Sequence, residues 1–596
     1  SDALTTAHGW EWLTLCAQLL PSSIISLAPQ LMQWVQEMPT SWEYMPQVLK
    51  TLHYLGPLQR NHQQQQHQQP SGEEEAERAA VYAAFFVRHP TAKSCQGLGP
   101  LLLRQIRSFC CTASSVALAK WSVRCWDSWM VEGALTIREG LQLSLQRLHS
   151  FQLSSLNGGG DSSSSSSSSS SAHGAQQALL AAIGQMCLLQ PEALLESEGV
   201  QAVELMEHCL GMVRSGLEAS EEPVDESKKG KGKGKGRGKS QKLGQGQVTT
   251  PPPPTATLLW VLKTCSRSIA DVWLHPDYQS FSLPLLHQVI ATLTQLLSAC
   301  SDDEGEATWP GSLLDRQQLR LATSIALCRI FRHGALESQC CSPDLYVRLS
   351  LAAQDVVCEN REIFMRKCFH FATKYTLPSH YLAALVLLAV DPEKSNVTLA
   401  KGYLSRFIQL KRQMLQQIKQ QASTSPPQGG GVIMSHSEVT RVTQRLLPEN
   451  ILPWLIFLIA HHPDFEEDAP SFAETQKYLQ FFLDCIWIHH HHSGDHPPLP
   501  TGNYMDSNYI LLRYLMDFTK CAADVTDPGN HAIHQVAEIG LLLLQVKAEG
   551  RRATQAEAAP PQIHLPTRCY TRRQDVASQQ EALAQQFLPA SFQIRQ

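Results

Sequence analysis

Apolar residues recur at helical spacing along most of the chain. The segment 472–490 shows the i, i+3, i+4, i+7, i+8 spacing of an amphipathic α-helix. Its apolar face consists of Tyr478, Phe481, Phe482, Cys485 and Ile486. No segment shows the alternating apolar and polar residues, with hairpin turns, that are typical of β-strands. The pattern therefore predicts an all-α protein.

The segment 441–464, RVTQRLLPENILPWLIFLIAHHPD, predicts two helices separated by a break at Leu447-Pro448. Proline disfavours the helical conformation in the residue before it, so Leu447 is a predicted boundary. Pro453 is tolerated if it lies in the first turn of the second helix. Residues 454–460 are apolar on nearly all faces, which predicts a helix buried between neighbours.

Similar helices follow one another through the second half of the chain. They are predicted at 258–272, 285–300, 316–331, 343–357, 361–375, 378–390, 397–421, 437–446, 453–461, 472–490, 507–522 and 531–548. Pairs of them recur about every 40 residues, which is the period of HEAT and armadillo repeats. The predicted fold is therefore an all-α, HEAT/armadillo-type helical-repeat solenoid with disordered low-complexity insertions.

Shifts in composition predict six regions. They are helical repeats at 1–150, a Ser/Gly-rich linker at 151–176, a helical repeat at 177–216, a charged, Lys/Gly- and Pro-rich disordered insertion at 217–256, HEAT-like repeats at 257–549, and a loosely ordered tail at 550–596. Polyserine and Lys/Gly tracts cannot bury enough apolar surface to fold by themselves.

Composition narrows the functional classes. Of 596 residues, 43% are hydrophobic and 17% are charged, and the net charge of −5 is too small to steer partners by a bulk field. The 17 cysteines form no CxxC ladder, which favours reduced thiols in a cytosolic or nuclear protein. The longest apolar runs are too short to cross a bilayer. The chain begins with Ser1 and has no signal segment, so we expect its natural N-terminus to lie upstream.

A run of basic residues and glycines is the strongest local charge feature. It contains Lys228, Lys229, Lys231, Lys233, Lys235, Arg237 and Lys239. Its end, Gly238-Lys239-Ser240, imitates a phosphate-binding loop, but Lys233 stands where that motif needs glycine, and no apolar strand precedes it. Two interpretations stay open: a sequence-independent contact with a nucleic-acid backbone, and a solubilising or nuclear-import segment.

Histidines give the only other candidate chemistry. Four consecutive residues, His489–His492, point in different directions at a predicted helix end, which suits a surface tract better than tetrahedral zinc. The pair His461-His462 next to Asp464 lacks a nucleophile, so a turn and helix cap is favoured over an acid–base pair. We predict no catalytic, cofactor-binding or metal-binding residue.

Three motifs resemble those of the cohesin-associated "precocious dissociation of sisters" proteins. The first is the leucine-rich helix end, Pro-Glu and apolar helix of 446–465, closed by Ala-His-His-Pro-Asp-Phe. The second is the x-R-x-x-F-x-x-K helix at 360–367. The third is the Leu-Pro-x-x-Tyr block at 377–383, followed by Asp391-Pro392. The resemblance covers about 258–548, in the family's order and spacing.

The resemblance implies a hook-shaped HEAT-repeat regulator of the cohesin ring, of which this chain would be the C-terminal portion. Such proteins bind the kleisin subunit, act with the Wapl-type releasing factor and support the cohesin acetyltransferase, in the nucleus and on chromatin. It implies no enzyme, no cofactor and no membrane association, and it carries no individual binding residue to this chain. The alternatives are a HEAT-type nuclear transport receptor and, through the histidine cluster, a metal-dependent enzyme.

Overall fold

The computed structural model describes fifteen parts of the chain. They are residues 7–19, 27, 30–31, 33, 44–55, 115–129, 137–157, 167–195, 199–221, 254–300, 309–423, 436–487, 502–549, 565–572 and 576–594. The chain forms two compact units, Ser1–Ala322 and Thr323–Gln596. Within the described residues both units consist almost wholly of helices, which confirms the predicted all-α, helical-repeat class.

The helices of the first unit are α1 (Ala7–Leu19), α2 (45–55), α3 (Val116–Trp129), α4 (Ile137–Asn157), α5 (Ser167–Leu189), α6 (Val200–Glu221), α7 (Thr255–Ser268) and α8 (Gln279–Ala299). Helix α9 (Leu313–Ile330) contains the boundary between the units. The helices of the second unit are α10 (Gly334–Cys340), α11 (Pro343–Ser350), α12 (Cys358–Lys374), α13 (Lys394–Ser423), α14 (His436–Leu446), α15 (Ile451–Ala460), α16 (Ala469–Ile486), α17 (Gly502–Lys520), α18 (Ala532–Glu549) and α19 (Val576–Ala584). Short 3-10 helices lie at Pro191–Leu194, Asp271–Leu274, Leu351–Gln354, Ser379–Val390 and Pro448–Asn450.

In the first unit, α5 packs against α3, α4 and α7. Leu180 and Ile183 of α5 are fully buried. The helices α5 and α7 approach closely at Gly184, where a Cβ atom would lie 3.2 Å from the Cα of Thr264. The Thr264 hydroxyl donates a 2.8 Å hydrogen bond to the carbonyl of Leu180, which fixes this contact.

In the second unit, α15 is the central helix. All ten of its residues are buried, and it packs against Ser379–Val390, α17 and α18. Leu447 has an extended backbone (φ −59°, ψ 119°), so the chain breaks where Pro448 predicted it. The buried inner helix predicted from 454–460 is therefore confirmed, although it begins two residues before Pro453.

Two short strands lie within the otherwise helical second unit. Ala522–Asp524 pairs antiparallel with Tyr570–Arg572. Each strand has three residues, which is too short for an alternating pattern to be recognised in the sequence. Within the region 550–596, Tyr570 and Leu588 are 3% and 5% exposed and anchor the described parts of this region in the unit.

The predicted Ser/Gly-rich linker at 151–176 is partly helical. Helix α4 continues to Asn157, and α5 begins at Ser167, within the serine run. Once the apolar segment 175–189 has formed a helix, each added serine costs only a few tenths of a kcal/mol. Most of the low-complexity insertion at 217–256 lies outside the described residues.

The described residues lack a membrane-spanning helix and a metal-binding cluster. No helix there combines the length and apolarity needed to cross a bilayer. No group of three or more His, Cys, Asp or Glu side chains there is arranged to hold a metal ion. The tract His489–His492 lies outside the described residues.

Candidate partner-binding groove

The second unit carries an open groove of about 830 Å³ beside the N-terminus of α15. The end of α12 and the loop after it form one wall, α13 and α14 form another, and Pro566 closes one side. Its lining residues are Ala372, Thr373, Tyr375, Thr376, Leu377, Pro378, Ser379, His380, Lys411, Met414, Arg441, Gln444, Arg445, Asn450, Pro453, Trp454 and Pro566. We call this surface the α12–α14 groove.

The floor of the groove is a stack of two buried rings. The rings of His380 and Trp454 lie 4.0 Å apart between centroids, with an angle of 13° between their planes. The hydroxyl of Tyr346, which is fully buried, donates a 3.2 Å hydrogen bond to the carbonyl of His380. The ring of Tyr346 meets Trp454 edge-on at 4.8 Å. These contacts fix the positions of both floor rings.

An ion pair lies behind the floor. The guanidinium of Arg568 donates two 2.7 Å hydrogen bonds to the carboxylate of Glu337, and its Nη1 donates to the carbonyls of Glu337 and Cys341 at 3.0 and 2.9 Å. Both bonds to the carboxylate come from Nη2, and hydrogen bonds between charged groups are shorter and stronger than those between neutral groups. It attaches the segment 565–572 to α10, and so places Pro566 at the groove.

The protonation states behind the floor follow from burial and hydrogen bonding. Burial alone would raise the pKa of Glu337, but its hydrogen bonds with His380 and Arg568 outweigh this and lower that pKa. Burial lowers the pKa of His380, whose Nε2 lies 3.3 Å from Glu337 Oε1. His380 is therefore neutral near pH 7, and Arg568 supplies the positive charge that balances Glu337.

Three cationic side chains reach the groove. Arg441 and Arg445 are exposed and lie four residues apart, on one face of α14. The side-chain nitrogen of Asn450 donates a 2.7 Å hydrogen bond to the carbonyl of Gln444, which holds the end of this helix. Lys411 is half-buried, and burial lowers its pKa. None of the lining residues is aspartate or glutamate.

A cluster of basic residues continues from the groove along α9 and α12. Burial is the largest cause that lowers the pKa of His370. The charges of Lys367, Lys374, Arg329 and Arg332 lower it further. The guanidinium of Arg332 lies 4.5 Å from the centre of the Tyr375 ring, at the edge of the groove. The field at this edge is therefore positive.

The charged residues Arg361 and Asp391, from the second and third sequence motifs, bind each other. Arg361 donates hydrogen bonds to both oxygens of Asp391, at 2.6 and 3.0 Å, and to the carbonyl of Asp355 at 2.8 Å. Asp391 also caps the start of the next segment by accepting from the backbone N–H of Glu393 at 2.7 Å. These residues join two successive repeats, so their role is structural.

His461 and His462 are structural as well. Pro463 and Asp464 form the predicted turn, but the predicted helix cap is wrong, because Asp468 caps α16 by accepting from the backbone N–H of Ser471 at 2.9 Å. The ring of His462 lies 2.6 Å (Nε2) from Gln354 Oε1, and its Nδ1 accepts the backbone N–H of Asp464 at 3.1 Å. The side chain of Asp464 is 89% exposed and lies 3.9 Å from that ring nitrogen. The acid–base pair considered from the sequence is therefore not assembled.

His461 binds a different carboxylate. Its Nδ1 lies 2.9 Å from the carbonyl of Phe457, which can only accept, and its Nε2 lies 2.8 Å from Thr526 Oγ1 and 3.0 Å from Asp524 Oδ2. The Thr526 hydroxyl already donates to Asp524 Oδ1 at 2.6 Å, so it accepts from His461. Both ring nitrogens therefore carry protons. Burial opposes this charge, but the hydrogen bonds to Asp524 and Phe457 outweigh it and raise the pKa of His461.

The residues singled out for nucleic-acid contact, Lys228, Lys229, Lys231, Lys233, Lys235, Arg237 and Lys239, lie outside the described residues. Sequence reasoning missed the groove. Its lining residues come from four separate segments between 372 and 454 and from Pro566. The one local signal was the pair Arg441 and Arg445 at helical spacing just before the Pro448 break.

Comparison with known proteins shows which family and which relatives the chain is similar to. The family model "Sister chromatid cohesion protein PDS5 protein" matches residues 43–571. The chain is 24% identical over 286 residues to sister chromatid cohesion protein PDS5 homolog A of Gallus gallus, covering 47% of this chain and 19% of that protein. It is 22% identical over 286 residues to homolog B of Homo sapiens (47% and 17%), and 24% identical over 262 residues to human homolog A (43% and 17%).

The aligned part of the chain thus spans less than a fifth of the length of these relatives. The family model, in contrast, covers most of this chain. It confirms the resemblance seen in the three motifs, whose charged residues pair within the second unit. The chain belongs to the sister chromatid cohesion protein PDS5 family.

Proposed function

We propose that this chain is a non-catalytic scaffold that regulates sister chromatid cohesion by binding the cohesin complex on chromatin in the nucleus. The observation that carries the proposal is the family match over residues 43–571. The names of the relatives, sister chromatid cohesion proteins, support the same role. Helical repeats suit it, because they present extended surfaces to partner segments.

The proposed direct partner is the kleisin subunit of cohesin, with a Wapl-type releasing factor and the cohesin acetyltransferase as further partners. The mechanism is differential binding. If the scaffold binds the locked and the releasable states of the ring with different affinity, each partner that changes this difference shifts the population between them. A surface that recognises peptides is sufficient for this, and it requires no chemical step.

The α12–α14 groove is the described surface best suited to receive such a partner segment. It combines exposed cations with exposed apolar groups, since Tyr375 and Met414 are 42% and 44% exposed. Interfaces that bind peptides tightly use such anchors, surrounded by a polar rim.

The test is affinity purification of the tagged full chain from dividing cells, followed by mass spectrometry. We expect cohesin subunits to be enriched over a tag-only control, and purified kleisin to bind the purified chain directly. Recovery of Ran GTPase and transport cargo without cohesin would instead support a transport receptor. Stoichiometric zinc in the purified protein would revive the metal-dependent enzyme.

A further inference from the structure

The α12–α14 groove carries an excess of positive charge, since its lining contains Lys411, Arg441 and Arg445 and no aspartate or glutamate. Two buried carboxylates beside it are already engaged: Glu337 by Arg568, and Glu449 by Arg412, whose Nη2 lies 3.6 Å from Glu449 Oε1. Arg441, Arg445 and Lys411 form no ion pair within the described part of the chain. Three cations facing one groove repel one another, and a ligand that carries negative charge would relieve this repulsion.

Apolar surface lies within the same groove. Met414 is 44% exposed and lies on α13 three residues after Lys411, so the two side chains share a helix face. Tyr375, on the wall formed by the end of α12, is 42% exposed. Leaving two large side chains exposed around a cavity costs hydrophobic stabilisation that burial of a ligand side chain would recover.

The groove is held in shape before any ligand arrives. The stack of His380 on Trp454 and the paired Glu337 and Arg568 lock its floor, and the hydrogen bond from Asn450 to Gln444 locks the end of α14. A preorganised site loses little conformational entropy when it binds.

We propose that the α12–α14 groove binds an acidic peptide segment of a partner protein. Two or more carboxylates of the segment lie on Arg441, Arg445 and Lys411, and one apolar side chain lies between Met414 and Tyr375. The identity of the partner as a cohesin component rests on the function proposed above, but the recognition chemistry does not.

A peptide fits these features better than a nucleic acid does. The arginines stand at a spacing of one helical turn, which suits bidentate binding of two separate carboxylates. A nucleic-acid backbone calls for a long basic stripe, whereas much of this groove is apolar, including Leu377, Pro378, Met414, Pro453 and Trp454. The basic cluster around His370 lies at one edge and would attract the acidic segment during encounter.

The test is a displayed library of random dodecapeptides panned on the full chain. We expect enrichment of sequences with at least two Asp or Glu residues next to Leu, Ile, Met or an aromatic residue. A synthetic enriched peptide labelled with fluorescein then gives affinities by anisotropy. No enrichment, or enrichment of basic or neutral sequences, would overturn the proposal. Because panning uses no cohesin, its result is independent of whether cohesin co-purifies with the chain.

Matched variants locate the binding. We expect Arg441→Glu with Arg445→Glu to lower the affinity for the peptide by at least about tenfold. The control, Lys401→Glu with Arg406→Glu, makes the same change of charge at exposed positions of α13 outside the groove, and should stay within about twofold. Met414→Asp tests the apolar contact at an exposed position and should also weaken binding. Equal loss in both double variants would mean that only bulk charge matters and would refute the site.

The nucleic-acid alternative is tested with labelled oligothymidylate on the same proteins. If the proposal is right, the affinity of the oligonucleotide is either unchanged by Arg441→Glu with Arg445→Glu or lower than the affinity of the peptide. If it binds more tightly than every enriched peptide and loses affinity in this variant alone, the groove is a nucleic-acid site and the peptide proposal is wrong. Thermal unfolding of each variant confirms that it is folded.

Discussion

Arg568 and Glu337 are separated by 231 residues in the sequence and joined by two 2.7 Å hydrogen bonds in the structure. The Glu337 side chain is 5% exposed and the Arg568 side chain 28%. This pair is the main polar attachment of the segment 565–572 to the repeats, because it also satisfies two carbonyls at the end of α10. Removing Arg568 would leave the buried Glu337 carboxylate without this counter-charge, and burial would then raise its pKa.

We therefore expect Arg568→Met to destabilise the second unit by roughly 3 kcal/mol, because it leaves the buried Glu337 carboxylate with neutral His380 as its remaining side-chain partner. Urea unfolding followed by circular dichroism measures the change. The double variant Glu337→Gln, Arg568→Met should lose less than the sum of the two single variants. Additive losses would show that the two side chains act independently, against the structure.

Much of the fold could be predicted from the sequence because helical periodicity is a local signal. The buried helix α15, the break at Leu447 and the order of the second-half helices follow from the spacing of apolar residues and from proline chemistry. The strand Ala522–Asp524 could not be predicted in this way. It forms because its partner, Tyr570–Arg572, is brought beside it, and Tyr570 buries its ring there and hydrogen bonds to the carbonyl of Pro453.

The groove could not be predicted for a related reason. Lys411, Arg441 and Trp454 look like ordinary positions of three different helices, and only packing brings them to one cavity. The second and third sequence motifs could be recognised in the sequence, but the role of their charged residues could not be inferred from it. Arg361 and Asp391 stood out as family-like positions, but only the folded structure shows that they pair with each other.

The ion pair of His461 and Asp524 predicts a dependence of stability on pH. The pKa of His461 is raised above its ordinary value of 6.5, so its contribution is fully present below that value and is lost as the pH rises through the folded-state pKa. Burial opposes ionisation of Asp524, but the hydrogen bonds from His461 and Thr526 outweigh this and lower its pKa below 3.8. The contribution of Asp524 is therefore present above 3.8 and is lost at lower pH.

Asp524→Asn should remove this dependence. We expect the stability difference between the natural protein and the variant to be largest in mildly acidic buffer and to shrink as the pH rises from 6.5 through the raised pKa of His461 in the folded protein. Thermal unfolding across neutral pH measures the difference. Asp464→Asn is the control, because its carboxylate is 89% exposed, and it should show no such trend. A difference that grows with pH would contradict the protonated state of His461.

Two helical glycines in the first unit predict opposite effects of the same substitution. At Gly184 a Cβ would lie 3.1 Å from Thr264 Oγ1 and 3.2 Å from its Cα, so Gly184→Ala must push α5 and α7 apart. The expected cost is about 1–3 kcal/mol. At Gly211 a Cβ would meet nothing within 4 Å, so Gly211→Ala should stabilise α6 by about 0.5–1 kcal/mol. Hydrogen exchange measures the local stability of α5 and α6 separately. Equal changes of stability in the two helices would contradict the close approach at Gly184.

The basic run 228–239 gives a prediction that rests on electrostatics alone. If its seven cations contact a DNA backbone, replacing them with glutamine should weaken binding of random-sequence duplex. It should also flatten the dependence of log K on log salt by about 0.9 for each lost phosphate contact. A variant with the same lysines, arginine and glycines in shuffled order is the matched control and should bind as before, because counterion release does not depend on order. Fluorescence anisotropy at several salt concentrations gives both slopes. If the glutamine variant keeps the full affinity and slope, the run does not contact DNA, and a nuclear-import role becomes the one to test, by comparing the cellular distribution of the same variants.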